Sequence, residues 1–203
     1  MKIIAIMAKS GVGKSTLIGK LIEEYPEIFH YVRSYTTRAV REEDPSDINT
    51  HVFVNEEFWN ENQERAIAVY FSPKGYVSWV DESSFDPDKV NIYAIDPLAA
   101  STDLLDWSKD KLDVEVYGVY LSLDEHERMS RWSKRHGSTA GFSVERHLAL
   151  DTLDGSDMPY EVVELGEEYR SRGYDNIRYR PMPIEEAYEA FKYSVEIVGG
   201  LLL

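Results

Sequence analysis

The apolar positions of this chain fall into a few continuous runs separated by helical patterns. Ile3 to Met7 is unbroken rather than alternating, which predicts a strand buried on both faces. Leu17, Ile18, Leu21 and Ile22 then recur on one helical face, and Pro26 ends the pattern. A buried strand feeding an amphipathic helix opens a βα unit. The same logic returns later. Val90-Asn91-Ile92-Tyr93-Ala94-Ile95 predicts a second buried strand. Val114 to Leu121 predicts a third, with Leu123 to Lys134 as its helix. Asn176-Ile177-Arg178-Tyr179 predicts a last strand, and Pro183 opens a closing helix through Ile197. The fold class expected is α/β, three layers around a parallel central sheet.

Residues 29–84 read differently. Short alternating pieces, His51-Val52-Phe53-Val54, Ala66 to Phe71 and Gly75 to Val80, are joined by turns such as Ser72-Pro73-Lys74-Gly75. They predict a small, partly antiparallel lobe. The small-residue stretch 137–142 separates two helical patterns and reads as mobile, and Asp154-Gly155-Ser156-Asp157 marks another break. The expected organisation is one domain over 1–203. Its core is 1–31, 85–133 and 151–203, its inserted lobe 32–84, and its lid 134–150.

Composition narrows the function. With 43% hydrophobic residues the chain can bury a core, and its length of 203 residues fits a single α/β domain. The net charge of −15 argues against a nucleic-acid polymer or an anionic membrane surface as partner. The absence of cysteine removes disulfides, Cys-ligated zinc and thiol nucleophiles. The apolar start is too short for a signal peptide and no stretch approaches a membrane span, so a cytoplasmic protein, monomer or homodimer, is expected.

The most informative stretch is Ala8-Lys9-Ser10-Gly11-Val12-Gly13-Lys14-Ser15-Thr16. It matches the phosphate-loop pattern G-x-x-x-x-G-K-[ST], with Ala8 replacing the first glycine. Such a loop needs small residues because backbone N–H groups wrap closely around phosphate oxygens. Ser10 through Thr16 are the expected ATP-binding residues. Lys14 supplies a point charge between the β- and γ-phosphates, and Ser15 offers a hydroxyl to Mg²⁺. Its place between a buried strand and an amphipathic helix is the context the motif requires. A chance Gly-rich turn before a helix is the alternative.

A second run, Ser34-Tyr35-Thr36-Thr37-Arg38-Ala39-Val40-Arg41, sets two arginines among hydroxyls and suits a second phosphate group. Here the sequence resembles the guanylate kinase family of nucleoside monophosphate kinases, whose members carry a Ser-x-Thr-Thr-Arg-x-x-Arg run at this place. The likeness continues through His51-Val52-Phe53-Val54-Asn55-Glu56-Glu57-Phe58, Gly75-Tyr76-Val77-Ser78, Ile95-Asp96-Pro97 and Arg131-Trp132-Ser133-Lys134-Arg135-His136-Gly137. Tyr174 to Ile177 and Glu185-Glu186-Ala187 resemble the family's final strand and helix. The resemblance implies that Arg38, Arg41 and Tyr76 bind the acceptor monophosphate. It places Ser34 and Ser78 at the base, and Asp96 near the acceptor or metal. It implies that Arg131, Arg135 and Arg146 close over the transferring phosphoryl group.

The chain departs from the family pattern at defined positions. His51 stands in place of a phosphate-binding Tyr. Ile67 falls where a guanine-reading Glu is expected, with Glu64 three residues earlier, and Ala94 replaces the first strand-end Asp. A guanine edge offers N1–H and an amino group, which a carboxylate accepts, so the base is left open. The leading expectation is ATP-dependent transfer to a (deoxy)nucleoside monophosphate. A kinase of a sugar phosphate, such as a ribose bisphosphate, a non-catalytic binding module and an acceptor-independent ATPase are the alternatives. Arg131 and Arg135 also have the i,i+4 spacing to pair with Glu127 and its surroundings instead.

The charge distribution fits phosphate chemistry. Half of the 22 basic residues lie in three stretches without an acid, 2–22, 33–41 and 128–144. These are the proposed donor loop, acceptor loop and lid. Positive charge is concentrated where a small polyanion would be held.

Overall fold

The computed structural model describes residues 1–8, 11–41, 47–95, 99–123, 125–137, 175–179 and 184–203. The main sheet has five strands: β1 (Lys2–Ala8), β2 (Phe29–Val32), β7 (Val90–Ile95), β8 (Glu115–Leu123) and β9 (Asp175–Tyr179). Their order is β2-β7-β1-β8-β9, and every pair is parallel. Parallel sheets are covered on both faces, and among the described residues helices pack on each side.

The continuous apolar run of β1 explains its central position. Ile4 and Ile6 face one side, against Leu17, Ile18 and Leu21 of α1 (Lys14–Glu24) and Phe191 and Val195 of the closing helix α6 (Ile184–Gly199). Ile3, Ala5 and Met7 face the other, against Leu104 and Leu105 of α4 (Ala99–Ser108). Alternation along a strand with both faces covered gives a continuous hydrophobic run and the expected three layers. At the far end of the α1–α6 contact, Tyr188 donates to Glu24 at 2.6 Å and Lys192 to the same carboxylate at 3.0 Å.

A second sheet, ordered β4-β3-β6-β5, contains β3 (Ser34–Thr36), β4 (His51–Phe53), β5 (Ile67–Phe71) and β6 (Val77–Val80). β3 and β4 are parallel, whereas β6 runs antiparallel to both β3 and β5. Its outer face is aromatic. Tyr35 stacks on Trp79 at 5.5 Å, and Phe58 and Trp59 of α3 (Glu56–Asn62) pack against the same indole. Its inner face joins the core through Ile67, Val80 and Phe85.

The alternating pieces in 29–84 do not all belong to this lobe. Phe29–Val32 alternates too weakly to be distinguished from them, yet it pairs with β7 as the edge of the main sheet. α3 was not expected either; its cap, Asn55 Oδ1 accepting from the Phe58 N–H at 2.9 Å, is its clearest sequence signal. The expected mobile stretch beyond Gly137 and the break at 154–157 lie outside the described residues. None of the described helices is long and apolar enough to cross a membrane.

Candidate active site

The loop after β1 ends at the carboxyl edge of the parallel sheet, where open α/β sheets bind ligands. Gly11 and Gly13 have φ of +86° and +106°. A Cβ on Gly11 would lie 3.2 Å from the Arg128 carbonyl oxygen, so backbone conformation and space both require glycine there. Gly13 is the N-cap of α1 and makes no side-chain cap, which leaves the first-turn N–H groups of the helix directed outward. Ser15 and Thr16 are exposed, and Lys14 reaches back until Nζ is 3.5 Å from the carbonyl of Ile95 on β7. Glycines, outward amides, an ammonium and a free-standing hydroxyl pair are the donor set of a polyphosphate site. The residues present suit a nucleotide polyphosphate with Mg²⁺, for which Ser15 would supply a hydroxyl.

α5 (Glu125–His136) closes the loop from its other side. Arg131 Nη1 donates to the Val12 carbonyl at 3.0 Å, and its Nε donates to Glu127 at 3.0 Å. The helical pairing with Glu127 that the spacing allowed is present, and the same guanidinium reaches the backbone of the loop. Arg128 is buried at 2% exposure beside Gly11.

The second cluster sits at the β3–β4 edge of the small sheet. Arg38 Nη1 donates to Asp47 Oδ2 at 2.6 Å while Nη2 donates to Oδ1, a bidentate pair. Nη1 also donates to the Ala39 carbonyl at 2.9 Å, and Nη2 lies 3.3 Å from His51 Nδ1. The backbone N–H of Arg41 donates to Asp47 Oδ2 at 3.0 Å, whereas the Arg41 side chain is exposed. The Phe53 ring backs the Arg38 guanidinium at 5.0 Å.

These contacts set the protonation states. Burial alone would raise the Asp47 carboxyl, but the Arg38 guanidinium and the Arg41 amide outweigh it and hold the group at about 2. Burial first, and then the Arg38 charge, push His51 down to about 4, so its ring is neutral near pH 7. Thr50 Oγ1 lies 2.8 Å from the same Nδ1.

The hydroxyls beside Arg38 do structural work. Thr36, fully buried, donates to the Val77 carbonyl at 3.3 Å and accepts from Ser78 Oγ at 2.8 Å. Thr37 Oγ1 accepts from the Val77 N–H at 3.0 Å. They bind β3 to β6 and thereby carry Arg38 on a rigid strand end. Ser34 is 8% exposed, on the same face as His51 in the β3–β4 register. Tyr76 packs near Tyr70, with ring centroids 6.4 Å apart. Ile67 is 6% exposed and belongs to the core, while Glu64 is exposed on the turn Gln63–Arg65. Ser10, Asp96 and Arg146, and the side chain of Arg135, lie outside the described residues. Asp47 was not anticipated. Nine residues from Arg38 and beyond a run of other acids, it carries no local signal that singles it out.

A parallel sheet, a glycine loop opening α1 and a basic helix closing on that loop define a P-loop kinase-type fold. The comparisons agree. Residues 1–72 match the guanylate kinase family model. Guanylate kinase 1 of Oryza sativa is 29% identical over 164 residues, spanning 78% of this chain but only 41% of the rice protein. Guanylate kinase of Synechococcus sp. is 23% identical over 198 residues, 90% of this chain and 84% of that one. The crystal structure of guanylate kinase from Anaplasma phagocytophilum superposes with a TM-score of 0.57 at 17% identity, covering the whole chain and 87% of its own. The chain is thus similar to guanylate kinases in sequence over its first third and more distantly beyond, and shares their fold.

Proposed function

We propose that this protein is an ATP-dependent nucleoside monophosphate kinase, giving the diphosphate and ADP. The observation that carries the reading is the Gly11–Thr16 loop at the carboxyl edge of the sheet, with Lys14 at the start of α1 and Arg131 fastened to the loop's backbone. Family similarity and the arginine cluster at Arg38 support a phosphate acceptor.

The chemistry asks for alignment and charge neutralisation rather than a base. A phosphate monoester has a second pKa near 6, so the attacking oxygen is already largely ionised at pH 7. Lys14 and the α1 amides hold the donor phosphates, and Mg²⁺, when bound, offsets their charge. Arg38 and the Arg41 amide hold the acceptor phosphate, with His51 beside them. Arg131 fixes the loop and lies ready to meet developing charge on the transferring group. Arg41, Arg135, Tyr76, Ser78, Ser34 and Asp96 take the acceptor-side and lid roles that the family resemblance implies. The acceptor is a ribo- or deoxyribonucleotide, and the buried Ile67 favours a base other than guanine.

The test is to incubate the protein with Mg-ATP and each common ribo- and deoxynucleoside monophosphate and resolve the products. A diphosphate formed from a monophosphate supports the reading. ADP released without regard to acceptor contradicts it.

A further inference from the structure

We propose that the Asp47 carboxylate is an internal occupant of the acceptor-phosphate subsite, and that substrate binds by exchanging its phosphate for this carboxylate on Arg38. The inference rests on the reading of Arg38 as the acceptor-phosphate residue.

A guanidinium has five N–H groups, four of them on its terminal nitrogens. In Arg38 both terminal nitrogens face Asp47, and they also meet the Ala39 carbonyl and His51. The end-on edge formed by Nη1 and Nη2, one that grips a phosphate bidentately, is therefore taken. The Arg41 N–H, a backbone donor suited to an oxyanion, is taken by the same carboxylate at 3.0 Å. Guanidinium and amide thus hold one anion between them, with the His51 ring against the guanidinium.

Burial excludes simple addition of a second anion. The side chains of Arg38 and Asp47 are 9% and 2% exposed. An incoming phosphate cannot reach the cation around the carboxylate; it must replace it. The Phe53 ring behind the guanidinium keeps Arg38 in place while the partner changes. The exchange also discriminates. Asp47 presents one charge on two oxygens, whereas a monoester dianion presents more charge and three oxygens to the same donors. Weak monoanions have no such advantage and are kept out. In the free protein the pair spares the fold a buried, uncompensated cation.

The experiment titrates inorganic phosphate calorimetrically into three proteins: native, Asp47→Asn and Asp47→Asn combined with Arg38→Ala. Binding at the phosphate loop is common to all three and drops out of the comparison. Asp47→Asn is expected to bind phosphate at least about tenfold more tightly, the scale of losing one charged competing hydrogen-bonded partner. The gain should vanish in the double variant. Circular dichroism checks folding, and Asp47→Ser replaces Asp47→Asn if the latter does not fold. Unchanged or weaker binding by the neutral variant would show that Asp47 is a fixed prop and overturn the proposal. A gain that survives loss of Arg38 would overturn it too. With the active monophosphate, KM should fall in parallel. If no monophosphate is turned over, the kinase reading fails while the phosphate titration still decides the role of Asp47.

Discussion

Arg131 on α5 donates to the backbone carbonyl of Val12 at 3.0 Å, across 119 positions of sequence. The contact ties α5 to the backbone of the loop between β1 and α1. Glu127, at 3.0 Å from Arg131 Nε, holds the guanidinium in turn. Arg131→Ala should lower kcat by about 100-fold or more, the loss seen for a single transition-state donor. Glu127→Gln keeps a hydrogen-bond acceptor and should lose far less. Steady-state kinetics on both variants check the order.

Gly11→Ala places a methyl group 3.2 Å from the Arg128 carbonyl at a φ of +86°. Both the backbone and the α5 contact resist the change. The variant should fold, since the loop is at the sheet edge, yet lose most nucleotide affinity. Calorimetric titration with ATP measures it. Native affinity would show that the loop does not grip phosphate.

Acid should destabilise the acceptor lobe in two stages. His51 has its pKa lowered from 6.5 to about 4, so the unfolded chain binds the proton more readily. Its contribution is complete above about pH 6.5 and is lost as pH falls through about 4. Asp47, lowered from 3.8 to about 2, contributes fully above its ordinary value and loses this only toward pH 2. A thermal-melt series from pH 7 to pH 3 should show a falling Tm that His51→Phe flattens between pH 6.5 and 4.

Tyr188→Phe removes one hydrogen bond between α6 and α1 while leaving the ring buried at 3% exposure. The exposed Glu24 carboxylate is rehydrated. The cost should be about 0.5–1.5 kcal/mol, read from denaturant unfolding. Turnover should be unaffected, because the contact is at the opposite end of α1 from Lys14.

The parallel core was legible because its strands are buried on both faces. Ile3 to Met7 and Val90 to Ile95 could be little else, and Leu17 to Ile22 fixed the helix between them. The edge strand Phe29–Val32 was not legible. It has one neighbour, its residues His30 and Tyr31 are only half-buried, and it runs directly toward the lobe strand β3. The glycines at positions 11 and 13 marked a tight loop between β1 and α1, and their positive φ is why glycine stands there. The Arg38–Asp47 pair was half legible. An arginine in a phosphate motif has a local context, whereas its carboxylate partner is chosen by the tertiary meeting of β3, β4 and the short helix Asp47–Thr50. The seam made by the threonines was not legible either, because hydroxyls that suit a phosphate equally suit hydrogen bonds between β3 and β6.

The proposed reaction is transfer of a phosphoryl group from ATP to another phosphate. Phosphorus NMR of the protein with Mg-ATP and a monophosphate acceptor follows it directly, with Lys14→Ala as the control. The monophosphate singlet should disappear as two diphosphates grow in equal amounts, and Lys14→Ala should abolish this. Growth of an orthophosphate singlet with the monophosphate untouched would contradict it.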